Sequence, residues 1–377
     1  MKMLFRMNSE NYLDIIKKLA LQIKNEPARY VFDKFISENN FNSNIRRRLG
    51  DLFFESIRYY RRLVEDPDFN LEQVKNEVCS KDLTIQDLTD IFGLNGEIAE
   101  YVSESLNDIN DYKFLLSRGP LTLRVNPMKM TRDRLLSLLK DFKPIKTEIS
   151  PFGIKLNSNI NVRQLQEFKK GFFEIQDEAS QLVYNLVAPK PNEKILDLCA
   201  GTGGKSIALQ SCSYNTLDLH ATDISNDRLT ILKKRSKVLG LKIKVVNNPF
   251  QHFYDKVLLD VPCSGSGVIR RDVDNLIRMD KDRLLELVKT QRILLNKAIN
   301  FVKKGGVIVY VTCSFLKKEN EENIEYILNE YRNLRFVEVC DILDANIVKK
   351  LNLKSYFKTF PRYYAMDGFF GAVLRVY

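Results

Sequence analysis

The chain is poor in histidine, has no paired-cysteine motif and lacks any long apolar run. Only His220 and His252 occur in its 377 residues, so a histidine base and a zinc site are both poorly supplied. Six cysteines (79, 199, 212, 263, 313 and 340) are scattered without a C-x-x-C pair. In a cytosolic chain they stay reduced, and a lone cysteine is ordinarily a small buried hydrophobe. No run of about 18 apolar residues occurs, so no membrane-spanning helix is expected. The N-terminal stretch MKMLFRMNSENYLDIIKK breaks its apolar residues with charge too early for a signal peptide. A cytoplasmic protein is the expectation. Internal repeats and low-complexity tracts are also missing.

What is there suits a globular protein of two or three domains. The composition is 44% hydrophobic and 28% charged, enough apolar material for real cores. The net charge of +11 is unevenly spread. Residues 1–115 carry 16 Lys and Arg against 20 Asp and Glu, a net of −4. Residues 116–377 carry 43 against 28, a net of +15. A basic surface of that size attracts polyanions such as RNA or DNA. The plainer alternative is a generally soluble surface.

Residues 8–112 read as helices. Leu13, Ile16, Leu19 and Ile23 keep one face apolar, as do Leu49, Phe53, Ile57, Tyr60 and Leu63. Asn44 is placed to cap the second of these helices, and Asp66-Pro67 to stop it. Residues 116–173 change character: PLTLRVNP is a strand, TRDRLLSLLKDF a short helix and GIKLN another short strand. This suggests a small α+β module, with Arg124 and the basic residues after it on a nucleic-acid surface, or else a linker subdomain with a solvated basic face. From 174 to 377 strands and helices alternate. KILDL, LDLHATD, KIKVV, YDKVLLD, GGVIVYVTCS and GFFGAVLRVY read as strands, with a helix over about 281–301. Apolar strands alternating with helices predict an α/β doubly wound, mostly parallel sheet. Such sheets bind ligands beyond the carboxyl ends of their strands.

The first of those ends carries DLCAGTGGKS, residues 197–206. A triphosphate loop needs glycine where Cys199 stands, and a dinucleotide loop needs its third glycine where Ser206 stands. What remains is a strand, a glycine-rich turn, a helix, and Asp223 at the end of the next strand. A carboxylate there accepts both ribose hydroxyls, and the helix N-terminus favours a carboxylate. Adenosine with an amino-acid tail and no pyrophosphate fits: S-adenosylmethionine, leaving as S-adenosylhomocysteine. Asp197 would take its amino group, directly or through water.

Two further strands end in cysteine: VLLDVPCSGSG runs into Asp260 and Cys263, and VIVYVTCS into Cys313. A thiolate has a reason to meet a methyl donor. The C5 carbon of a pyrimidine is too poor a nucleophile until a thiolate adds at C6 and pushes electrons onto it. An acidic group near N3 would stabilise the charge that builds there, and Asp260 is placed for that. These arguments leave open which thiol attacks.

At these residues the chain resembles the NOL/NOP/Sun RNA cytosine-C5 methyltransferases, most closely their bacterial RsmB (Sun or Fmu) branch. DLCAGTGGKS is similar to that family's cofactor loop, and ATDISNDRL to its ribose-binding motif. DVPCSGSGVIRRDVD is similar to its D-x-P-C-S-G motif, and YVTCSFLKKENE to its T-C-S…E-N-E motif. FEIQDEASQLV and DGFFGAVLRV also look like family segments. The resemblance implies a Rossmann-like catalytic domain with a seven-stranded sheet over 174–377, an RNA-binding module over 116–173 and a NusB-like helical domain over 1–115. It implies Cys313 as nucleophile and Cys263 as the thiol that assists product release. Implied cofactor contacts are Asp197, Cys199, Ala200, Gly201, Thr202, Gly203, Gly204, Lys205, Asp223, Arg228 and Asp260, with Asn247 or Asn248 at the adenine. Arg124, Arg270 and Arg271 would meet RNA. The implied activity is C5 methylation of a cytosine in 16S rRNA. The residues themselves add two expectations: a monomer, since no separate dimerisation patch stands out, and no metal, since histidines are few and no C-x-x-C pair occurs. The alternatives are a tRNA cytosine or another substrate, and a non-catalytic RNA-binding ribosome-assembly factor on the same fold.

Overall fold

The computed structural model describes residues 9–156, 160–251 and 253–377. The first residues of the stretch read for a leader, the last residue of GIKLN and His252 lie outside them. The chain divides into two compact units: Met1–Arg118 with Ser264–Glu286, and Gly119–Cys263 with Leu287–Tyr377.

The described part of the first unit is helical. Helices Ser9–Gln22, Ala28–Glu38 and Ser43–Ser56 bury the apolar positions that recur at three and four residues. Ile16, Leu19, Ile23, Leu49, Phe53, Ile57 and Leu63 are all buried, while Leu13 is half-buried. Asn42 caps the third helix, its side chain accepting from the Ile45 amide at 2.9 Å. The expected cap, Asn44, lies inside the first turn, because Asn42 reaches an amide that would otherwise lack a partner. The chain then passes through a 3-10 turn, Ile57–Tyr59, and a short helix, Tyr60–Glu65. That helix ends where Pro67 forces Asp66 into an extended conformation.

Residues 264–286, which periodicity groups with the catalytic strands, pack in this helical unit. Val273, Leu276, Ile277 and Met279 are buried. The buried Arg58 guanidinium donates to the Arg270 carbonyl at 3.1 Å, and Asp274 accepts from the Ala28 amide at 3.0 Å. Lys281 pairs with Glu97 at 2.6 Å.

The second unit holds two sheets. The smaller is antiparallel, in the order β2-β3-β1-β4, from β1 (Leu121–Val125), β2 (Pro144–Lys146), β3 (Gly153–Leu156) and β4 (Phe173–Ile175). Leu123, Val125, Ile154, Leu156 and Phe173 close its core with Leu135 and Leu139 from the helix Arg132–Leu138 and the residue after it.

The larger sheet contains β5 (Lys194–Asp197), β6 (Asp218–Ala221), β7 (Ile243–Val245), β8 (Tyr254–Asp260), β9 (Val302–Thr312), β10 (Leu334–Val337), β11 (Phe357–Thr359) and β12 (Phe369–Val376). Seven of them run in the order β10-β12-β9-β8-β5-β6-β7, and β11 pairs with β12. β5 to β9 are parallel, while β12 joins β9 antiparallel. Val257, Leu258 and Leu259 in β8 and Ile308 to Val311 in β9 are buried almost completely, as strands covered on both faces must be. The chain goes from β5 outward to β7, then returns to β8 on β5's other side. That switch point lies between β5 and β8, where open sheets bind ligands. β5 ends at Asp197, β8 at Asp260 and β9 at Thr312, so the switch gathers the three motif ends.

Candidate active site

The loop after β5 holds its shape through its own backbone. The Ala200 amide donates to Thr222 O at 3.0 Å and the Gly203 amide to Ala200 O at 2.8 Å. Gly201 and Gly203 have φ of +53° and +93°, and Gly203 precedes the helix Gly204–Cys212. A Cβ on Gly203 would lie 2.8 Å from Leu232 Cγ, whereas one on Gly201 or Gly204 would meet nothing within 4 Å. The loop therefore needs glycine at 203 for packing, and presents open space at 201 and 204.

Asp223 closes the loop from the next strand. Its Oδ2 accepts from the Gly201 amide at 2.8 Å and its Oδ1 from the Ser225 amide at 2.9 Å. Ile224 beside it is fully exposed. Arg228 is exposed in the first turn of the helix Asn226–Leu239, which Ser225 caps. Asn247 and Asn248 are exposed just beyond β7.

Asp197 is fully buried. Its Oδ2 accepts from Ser206 Oγ at 2.6 Å, while Oδ1 has no hydrogen-bond partner. Burial pushes its pKa up to about 7, against the opposing pull of the Ser206 bond. An unpartnered buried carboxylate oxygen under an open glycine turn suits a ligand that brings an ammonium group. These residues fit S-adenosylmethionine.

Lys205 turns to β8 and pairs with Asp260 at 2.7 Å, with its ammonium 5.2 Å from the centre of the Phe369 ring. Burial opposes the lysine's charge, but Asp260, with help from Cys313 and Asp197, holds its pKa above the ordinary value. The proximity of Lys205 and Asp260 could not be read from their spacing. Burial, with Asp197 and Asp260 nearby, pushes the Cys199 thiol well above its ordinary range.

The two motif cysteines meet. Asp260 pairs in register with Val311 across β8 and β9, so the chain segments that follow emerge side by side. Cys263 Sγ and Cys313 Sγ lie 3.3 Å apart, both half-buried. Of the remaining cysteines, Cys212 is buried, and Cys79 and Cys340 are exposed.

The arginines expected at RNA are placed differently from one another. Arg124 is 1% exposed. It donates to Gln176 Oε1 and to Ser211 Oγ, each at 2.6 Å. It sits beneath the cofactor loop, since Gln176 in turn donates to Gly204 O at 3.3 Å. This corrects its assignment to a surface: Thr122 to Val125 are all buried, so β1 is covered on both faces. Arg270 is also buried, donating to the Arg118 carbonyl at 3.2 Å, so it too is withdrawn from the proposed RNA surface. Arg271 is exposed.

Several contributors escaped sequence reading. Arg235 donates to Thr202 O at 2.6 Å and pairs with Glu174, tying the loop to β4. Asp177 caps the helix Glu178–Val187 and accepts from the Asp367 amide at 3.0 Å, which joins the FEIQDEAS and DGFFG segments. Among the described residues, no cluster of three or more His, Cys, Asp or Glu is placed to hold a metal, and no helix is long and apolar enough to cross a membrane.

Residues 184–375 match the model of the family described as 16S rRNA methyltransferase RsmB/F. The chain is 32% identical over 268 residues to ribosomal RNA small subunit methyltransferase B of Proteus mirabilis, covering 68% of this chain and 59% of that one. It is 28% identical over 330 residues to the probable ribosomal RNA small subunit methyltransferase B of Bacillus subtilis, covering 83% and 69%. Against the first of these relatives, and others such as that of Citrobacter koseri at 50%, the match spans only half to three-fifths of their length. Among solved structures, PH0851 superposes with a TM-score of 0.77 at 22% identity over 98% of this chain and 99% of that one. NSun6 from Pyrococcus horikoshii, solved with SFG, superposes with a TM-score of 0.62 at 20% identity over 78% and 97%. At those identities the structures speak for the fold.

Proposed function

The chain belongs to the RsmB/F family of 16S rRNA methyltransferases, and on that basis we propose that it methylates C5 of a cytosine in 16S rRNA. S-adenosylmethionine is its cofactor, which when bound supplies an electrophilic methyl group. Asp197 would hold the amino group, the loop from Cys199 to Lys205 the amino-acid tail, and Asp223 the ribose. The observation that carries the reading is the pair of thiols 3.3 Å apart beside the Lys205–Asp260 pair. N-methylation would need no thiol, because the nitrogen already has a lone pair.

Cys313 attacks as the thiolate: its sulfur bonds to C6 and the ring electrons move to C5. Lys205 and Cys313 are close enough to interact electrostatically. The Lys205–Asp260 pair offers a proton and a charge to the N3 side of the ring, where negative charge collects. After C5 is alkylated, a base takes the C5 proton, the C6–S bond breaks and the Cys313 thiolate is released. Cys263, in contact with the same sulfur, assists this last step. The target base must be extruded from a loop or an opened helix to reach the thiols. The basic excess of residues 116–377 supports a polyanionic substrate.

The test is a pair of substitutions assayed with RNA and S-adenosylmethionine. Cys313→Ala abolishes methylation, and Cys263→Ala leaves a protein–RNA adduct that survives a denaturing gel. Full activity in Cys313→Ala contradicts the assignment.

A further inference from the structure

Behind the two thiols lies a closed polar network that the reaction as described does not use. Gln291, Thr312, Ser314, Glu319 and Asn323 are fully buried, and Asn320 is 1% exposed. Asn320 grips both neighbours of Cys313. Its Oδ1 accepts from Thr312 Oγ1 at 2.7 Å, and its Nδ2 donates to the Ser314 carbonyl at 2.9 Å. Gln291 grips the neighbour of Cys263, donating to the Pro262 carbonyl at 2.9 Å. Gln291 is tied in turn to Glu319 and Asn323, which stand beside Asn320 in the chain. Gln291 Nε2 also donates to Glu319 Oε1 at 2.9 Å, and Asn323 Nδ2 donates to Gln291 Oε1 at 2.8 Å. The Tyr310 hydroxyl, from the strand that leads to Cys313, donates to the Glu319 carbonyl at 2.6 Å.

A network of this kind is a poor way to gain stability. Desolvating that many polar groups costs about what their hydrogen bonds return, and apolar side chains of like volume would pack as well. What the network does have is direction: its bonds end on the backbone and hydroxyl groups that flank the two reactive sulfurs.

We propose that Asn320 and Gln291 are positioning residues, Asn320 for the turn that carries Cys313 and Gln291 for the turn that carries Cys263, locked to each other through Glu319 and Asn323 so that both sulfurs face one carbon of the substrate. The proposal rests on the covalent reading given above and deepens it. Attack at C6 and release from it need the two sulfurs held to within a fraction of an ångström, and a loss of about 1 Å costs about a hundredfold in rate.

The test uses the full chain with Thr312→Val, Gln291→Met and Asn320→Asp. Thr312→Val is nearly isosteric and loses only the hydroxyl, so it decides the matter should Asn320→Asp fail to fold. Thr312→Ser keeps the hydroxyl and serves as the rescue. Melting temperature and circular dichroism establish folding. The first readout needs no RNA: the rate at which diamide joins Cys263 to Cys313, followed by peptide mass spectrometry. Two electrons and two protons pass from the thiols to the reagent's azo bond as the disulfide forms. Thr312→Val and Gln291→Met slow this by about fivefold or more, and Thr312→Ser stays within about twofold of the parent. The second readout is adduct formation in the Cys263→Ala background. There Thr312→Val lowers the rate by about tenfold while the RNA KM moves less than about twofold. Cross-linking and adduct rates equal to the parent in folded Thr312→Val and Gln291→Met overturn the proposal. If Cys263→Ala itself forms no adduct, the covalent reading falls, and the cross-linking rate alone still decides whether these residues position the thiols.

Discussion

Gly203→Ala separates two roles that glycine can play in one loop. At 203 φ is +93° and a Cβ would lie 2.8 Å from Leu232 Cγ and 2.9 Å from its Cδ1. Leu232 is fully buried against Ala200 and Ala221, so it has little room to yield. The left-handed backbone costs about 1–2 kcal/mol for a residue with a side chain, and overpacking adds about 1–3 kcal/mol. The sum of about 2–5 kcal/mol corresponds to a fall of about 6–15 °C in Tm for a unit of this size. At 201 φ is also positive, at +53°, but the added methyl group meets nothing within 4 Å. Gly201→Ala should therefore lose only the backbone term, about 1–2 kcal/mol and about 3–5 °C. Scanning calorimetry of both variants without cofactor reads the difference directly. Equal losses, or a larger loss at 201, would refute the packing argument for Gly203.

Four other outcomes follow from the same geometry. The folded pKa of Asp197, about 7, stands above its ordinary 3.8, so the native state binds more protons between those values. That contribution is complete below about pH 4 and is lost as pH rises to about 7, and Asp197→Asn should flatten this part of the stability–pH curve in urea titrations; an unchanged curve contradicts the buried carboxyl. Affinity for S-adenosylmethionine, which needs the ionised form, should rise through the same window by calorimetric titration in the parent and not in Asp197→Asn. Lys205→Met leaves Asp260 without its partner in a mostly buried place and should cost about 1–3 kcal/mol by denaturant unfolding, with Lys205→Arg losing less; no loss would show that the pair is idle. Arg124→Met should lower stability by about 2 kcal/mol, since Ser211 and Gln176 lose their donor, while RNA affinity by filter binding stays within about twofold for the folded fraction; a large selective loss of RNA binding would restore Arg124 to the RNA surface.

The strands were readable because Val257–Leu259 and Ile308–Val311 are short apolar runs bounded by turn residues, and burial on both faces leaves that signature. The motif ends were readable for the same reason: chemistry in such a sheet lies where strands stop. Pairings between distant residues were not. Arg58 meets Arg270 across 212 positions, and this bond and the buried Val273, Leu276 and Ile277 draw residues 264–286 into the helical unit. Nothing in the local pattern of DVDNLIRM announces that. Arg124 looked like a surface cation because its strand alternates, but Ser211, 87 positions away, supplies the partner that lets it be buried. Thr312, Glu319 and Asn320 lay inside a recognised motif, yet only the fold reveals Asn323 and Gln291, and Gln291 as the residue that joins them to Cys263's turn.

The central claim is methyl transfer to a cytosine of 16S rRNA, and bisulfite sequencing of total RNA from cells with and without the gene tests it most directly. The account predicts that one cytosine in 16S rRNA loses its protection when the gene is removed. Loss at a tRNA cytosine instead would contradict the rRNA assignment while keeping the chemistry, and no lost site with the protein expressed would contradict the methyl transfer itself.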